Sequence, residues 1–314
     1  MSFGGVIVVG VGALLLATVG LALAAVLSRR PVPPPSEAAE AARRHGVLVS
    51  IAAWLLPSML GPFLLMTVAG LVFRWGGLDG PATMNALLAG LYPALFGLGY
   101  LGVHAVGERT WPRPAGPVRR ATLVHRRVSD VAPTWLRRTV LGLATAAVAV
   151  LVACGATGAE DGRSISTSGF AGDTFATRSA SPYPGWDFAV PLLVAVVLVA
   201  LAAEGVLRLV ARRPAILDAD PTYDAASRRL SSHRALRGAA LVIGCSLAGV
   251  LVVAGTALQG VELRPLGITA AILGVVTGLG SLVVTAIPAQ PAVVAPPALA
   301  IPPADPAAAG SAVA

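Results

Sequence analysis

Residues 188–210 read FAVPLLVAVVLVALAAEGVLRLV, and Ala211, Arg212 and Arg213 follow. No charge interrupts residues 188–203, and the arginines gather at the far end. An α-helix rises 1.5 Å per residue, so about 20 apolar residues cross the roughly 30 Å hydrocarbon core of a bilayer. The stretch is long enough to span and carries its positive charges where a span should stop. It predicts a transmembrane helix, and the rest of the chain can be read outward from it.

Six other segments resemble it: about 4–27, 47–73, 84–104, 139–156, 239–258 and 266–287. The longest connections run to roughly 30 residues, below the floor of about 50 for an independent domain. The expected fold is therefore all-α, a polytopic transmembrane helical bundle of about seven spans covering 1–287. A Pro/Ala-rich tail over 288–314 lacks the residues to bury a core and is expected to be disordered. The first charge is Arg29, after an apolar run longer than the 7–15 residues of a secretory signal. Ala22-Leu23-Ala24 looks like a cleavage site, yet the run is expected to remain as the first span.

All 23 basic residues are arginine. Nineteen fall in the connections 28–46, 105–138 and 208–237, which alternate with connections holding only Arg74, Arg163, Arg178 and Arg264. Basic residues collect in cytoplasmic loops, so this split predicts an N-terminus outside, a C-terminus inside and residence in the plasma membrane. The net charge of +8 follows the topology and forms no compact basic domain, which argues against nucleic acid as a partner. The partners it implies are the lipid bilayer itself and anionic lipid headgroups at the Arg-rich inner loops. A protein partner or a homo-oligomer is also compatible with it.

Ser36 is the expected N-cap of a short helix ending near Arg44, ahead of the second span. The outer connection 157–186, rich in Ser, Thr and Gly, reads as a lid or a linker. Tyr183-Pro184-Gly185-Trp186 closes it with a turn and an interfacial aromatic. Cys154 and Cys245 lie at different depths and are not placed to bridge. Small residues recur every fourth position at Ala240, Gly244 and Ala248, and again at Ala270, Gly274 and Gly278. Such spacing lets helices approach closely, within one bundle or between two copies.

Inventory excludes several chemistries. Without lysine there is no Schiff base and no P-loop, and the four histidines lie in loops or at span borders, away from any haem site between helices. No cofactor is implied. Within the spans, Glu204 is the one carboxylate that could matter, with Arg208 at i+4 as the expected intramembrane ion-pair partner. Pro57, Pro62 and Pro93 break the second and third spans, where freed carbonyls with Ser58, Asn85 and Tyr92 could line a substrate pocket. The inner cluster Asp218, Asp220 and Asp224 could hold a metal such as Mg²⁺, or simply start a helix at Asp220 or Thr222.

Arginine without lysine, amid abundant Ala, Val and Gly, looks like the composition of a high-GC actinobacterium. The stretch Asp218 to Arg237, with Tyr183-Pro184-Gly185-Trp186 ahead of a span, resembles uncharacterised multi-pass membrane proteins of that lineage. The resemblance covers about a quarter of the chain and implies no activity and no site residues. Three readings follow from the residues. The first is a non-enzymatic bundle or accessory component acting through its inner loops. The second is a small-solute transporter or permease subunit built on the kinked spans. The third is a membrane enzyme using the aspartates.

Overall fold

The computed structural model describes residues 36–75, 81–112, 127–171, 174–216 and 220–289. The expected first span, 4–27, Asp218 and the tail from 290 onward lie outside the described residues. The remainder is a helical bundle. Its helices are α1 (Glu37–Trp75), α2 (Pro81–Arg109), the single turn α3 (Val128–Val131), α4 (Thr134–Thr157), α5 (Trp186–Arg212), α6 (Pro221–Gly260) and α7 (Arg264–Ala286). Six of them, all but α3, are long and apolar enough to cross a membrane.

Two helices exceed the expected spans. Ser36 does cap its helix, its hydroxyl accepting the Ala39 N–H at 3.1 Å, and Glu37 and Glu40 sit in the first turn where the dipole favours acids. That helix does not stop near Arg44. No proline lies between Ser36 and Pro57, and the lone Gly46 costs only about 1 kcal/mol relative to alanine, so cap and span fuse into 39 residues. At α6, Asp220 is the N-cap and Pro221 takes the first helical position, after which 40 residues run unbroken.

Five helix ends meet at one pole: the starts of α1, α4 and α6, and the finishes of α2 and α5. His45 Nε2 lies 2.8 Å from Gly107 O, Arg137 pairs with Glu204, and Arg228 reaches Val210 O. Thirteen described arginines and seven carboxylates belong to this arginine-rich end, against four of each at the other. Among the described residues the charge split read from the sequence is thus also a split in space.

The core runs along α2, α4, α5 and α6, with Leu101, Leu136, Leu207, Leu236 and Ile243 buried in it. An aromatic column, Trp54, Phe96, Tyr100 and His104, joins α1 to α2, its rings 4.7–6.4 Å apart from neighbour to neighbour. Tyr100 passes α6 only because Gly238 has no side chain; a Cβ there would lie 2.3 Å from the ring.

The small-residue stripes form the seam between α6 and α7. Gly244 faces Ser281, Gly274 lies on Ala248, and Gly255 and Gly267 meet backbone to backbone. The seam belongs to the internal bundle. On the opposite face of α7, Ile272, Val275, Val276, Leu279 and Val283 are exposed, as lipid-facing side chains must be.

The connection 157–186 contains two strands, so it is more than a bare linker. Strands β1 (Ile165–Ala171) and β2 (Thr174–Ala180) pair antiparallel, from Ile165 opposite Ala180 to Ala171 opposite Thr174. Thr, Ile and Phe favour extended backbone, but their polar neighbours hide the pattern of a buried strand. The hairpin is tied to the far end of α6. Thr167 donates to Val261 O at 3.1 Å, Arg178 pairs with Glu262, and Ile165 packs beside Tyr183, Cys154 and Leu258. Asp187, in the first turn of α5, accepts from Arg163 Nε at 2.8 Å. The two cysteines are free.

Candidate functional site

The residues expected to line a pocket at the kinks make the following contacts. The Ser58 hydroxyl donates to Trp54 O of its own helix at 2.7 Å. Tyr92 lies against Gly61 across the helix pair, and Pro57 fills the space left by Gly99. Asn85 is exposed, seven residues from Tyr92 and so about 10 Å away along the axis of α2. Glycine opposite tyrosine and proline lets the two proline-containing helices approach closely at these points.

The aspartates divide in the same way. Asp220 is exposed and accepts both the backbone N–H and the hydroxyl of Thr222, which hold its carboxyl below the usual range. Asp224, one turn on, is turned inward and binds Arg228 Nε at 2.9 Å. One caps its helix and the other is spent on a guanidinium, so they do not converge on a cation. Among the described residues no group of three or more His, Cys, Asp or Glu is placed to hold a metal.

Glu204 forms its ion pair with Arg137, and not with Arg208 as expected. Arg137 Nε and Nη2 donate to its two carboxylate oxygens at 2.7 and 3.1 Å. The fork geometry matches the carboxylate, and α4 presents it from a neighbouring backbone. Arg208 remains exposed on the same face of α5.

The charged site that the structure does assemble lies at the arginine-rich end, among arginines whose place in the connections marks them only as topological charge. Arg228, 1% exposed, uses its whole guanidinium. Besides Asp224, it donates to Val210 O at 2.7 Å, Ala211 O at 3.3 Å, Arg213 O at 2.9 Å and Pro214 O at 3.2 Å. A helix C-terminus leaves four carbonyls without partners, and here one side chain of α6 satisfies the end of α5.

Arg213 forms the second layer. Its Nη1 donates to Glu108 Oε2 and Ser231 Oγ, both at 3.2 Å, and its Nη2 to Ser227 Oγ at 2.9 Å. The guanidinium lies 3.7 Å from the centroid of the buried Trp111 ring, a cation–π contact. Burial pushes the Arg213 pKa down, against the pull of Glu108. Arg234 completes the junction by donating to Gly46 O of α1 at 2.9 Å, while its own carbonyl accepts from Tyr100 at 2.8 Å.

These contacts lock α1, α2, α5 and α6 together. Around them, Arg109, Arg138, Arg208, Arg212 and Arg229 are exposed and pair with no carboxylate among the described residues. The one sequence signal for the buried layer was Asp224 with Arg228 at i+4, a pairing that arginine abundance concealed. Compared with protein-family models, curated proteins and solved structures, the chain matches none.

Proposed function

We propose that this integral membrane protein is a non-enzymatic bundle, an accessory or scaffolding component whose arginine-rich end faces the cytoplasm and engages anionic lipid headgroups. One observation carries the reading. Arg213 and Arg228 are buried and committed to carboxylates, a serine pair and carbonyls, whereas Arg109, Arg138, Arg208, Arg212 and Arg229 are exposed around them and pair with no carboxylate among the described residues. Trp135, exposed beside Arg137 and Arg138, supplies the aromatic typical of an interface. Each basic residue near an anionic leaflet gains about 1 kcal/mol, so the set would bind anionic lipid strongly. The same surface suits an acidic protein partner, and the plasma membrane is the expected location.

Two measurements test it. Single cysteines at Ser129 and at Ser168, both exposed and at opposite ends, should react oppositely to a membrane-impermeant maleimide. In intact cells only the Ser168→Cys variant should label. In lipid vesicles with and without phosphatidylglycerol, the native chain should be stabilised by the anionic lipid. Replacing Arg109, Arg138, Arg208, Arg212 and Arg229 with glutamine should remove most of that gain. An unchanged gain in the glutamine variant would refute the headgroup reading.

A further inference from the structure

The arginine-rich end also holds a small cavity that the headgroup reading does not use. It lies between α1, α2 and α6 and has a volume of about 10 Å³, room for about one water-sized particle. Its walls include His45, His104, Glu108, Trp111, Ser231 and Arg234. Two of these residues carry a buried ring nitrogen with no hydrogen-bond partner among the described residues. They are His104 Nε2 and Trp111 Nε1, in residues 3% and 5% exposed. An indole N–H can only donate, so Trp111 calls for an acceptor.

Charge selects the kind of acceptor. The carboxylate on the wall, Glu108, opposes an anion, but it already accepts from Arg213 Nη1 at 3.2 Å. Arg234 forms part of the wall, and Arg237 is buried three residues further along α6. Beyond the wall, Arg237 acts on His104, and Arg228 and Asp224 act on Arg213. Four guanidinium groups thus stand against two carboxylates around the cavity, and the local potential is positive. Ser231 accepts from Arg213 and keeps its own proton to donate. His45 Nε2 faces Gly107 O at 2.8 Å, and since a carbonyl only accepts, that nitrogen is a donor engaged elsewhere.

We propose that this cavity is a binding site for one small monatomic anion, held by the indole N–H of Trp111, the ring N–H of His104 and the hydroxyl of Ser231. Bulky polyatomic anions do not fit the volume. The site sits at the junction of three helices, so occupancy ties the end of α2 to α1 and α6.

The test uses the full chain in an uncharged, lipid-free detergent, so its outcome is independent of headgroup binding. Thermal unfolding is followed against sodium chloride and against sodium gluconate at constant ionic strength. Chloride should raise the midpoint saturably and gluconate should not. Trp111→Phe should weaken the apparent chloride affinity about tenfold, which corresponds to about 1.4 kcal/mol. Equal responses to the two salts, or an unchanged chloride response in Trp111→Phe, would overturn the proposal. Should that variant not fold, the chloride NMR linewidth of the native chain decides. Excess broadening displaced by bromide supports the site, and its absence overturns it.

Discussion

Replacing Gly255 with alanine puts a methyl carbon 2.6 Å from Gly267 O and 2.9 Å from Ala271 N. Both neighbours are backbone atoms of α7, so no side-chain rotation relieves the contact and the two helices must separate. Overpacking of a tight contact costs about 1–3 kcal/mol, and a backbone clash belongs to the upper half of that range. At roughly 2–4 °C per kcal/mol, the unfolding midpoint should fall by about 4–12 °C. Gly249 on the same helix provides the control, because a Cβ there meets nothing within 4 Å. Gly249→Ala should be neutral, or stabilising by up to about 1 kcal/mol through helix propensity. Gly267→Ala should resemble Gly255→Ala, its Cβ lying 2.6 Å from Gly255 O. The double variant should cost less than the sum, since one separation accommodates both methyl groups. Thermal unfolding of the four variants in one detergent measures all of this. Equal midpoints for Gly255→Ala and Gly249→Ala would refute the backbone seam.

Other perturbations probe the ends. Arg228→Met strands Asp224 and four carbonyls, and breaking a buried pair costs about 3–5 kcal/mol; the yield of folded protein in size-exclusion chromatography should collapse. Glu204→Gln should destabilise by no more than about 1 kcal/mol, because Arg137 is partly exposed. A double-mutant cycle should show coupling of Glu204 with Arg137 and almost none with Arg208. Tyr183 is pushed up to about 12, chiefly by burial, from its ordinary value of 10.0. The unfolded chain then ionises first as pH rises, so the stability from neutral Tyr183 is intact below pH 10 and is lost between 10 and 12. Tyr183→Phe should flatten the stability profile in that window, and an unchanged slope would exclude Tyr183 as its source.

The spans were legible because hydropathy over twenty residues is a strong signal, and six of the expected seven fall within described helices. The caps at Ser36 and Asp220 were legible for a local reason, a short polar side chain just ahead of its own helix. What depends on a neighbour was hidden. Glu204 has a candidate partner one turn away in sequence, but the better fork comes from α4, sixty-seven residues earlier. Arg213 and Arg228 read as topological charge because nothing local marks a guanidinium that will be buried by Trp111 and by the end of α5. Strand β1 mixes Ser, Thr and Gly with Ile and Phe, a composition shared with linkers, and only its pairing with β2 distinguishes it.

The unbroken helix α6 has a mechanical consequence. Forty residues make a rod of about 60 Å, twice the thickness of the hydrocarbon layer, with Asp220 fixed at one tip and the hairpin anchored at the other. Past Pro221 such a rod has no proline hinge in which a displacement could be absorbed. A push on the hairpin would swing the arginine-rich end as a lever swings its far arm, so a force applied at one end of the bundle would arrive at the other as tilt.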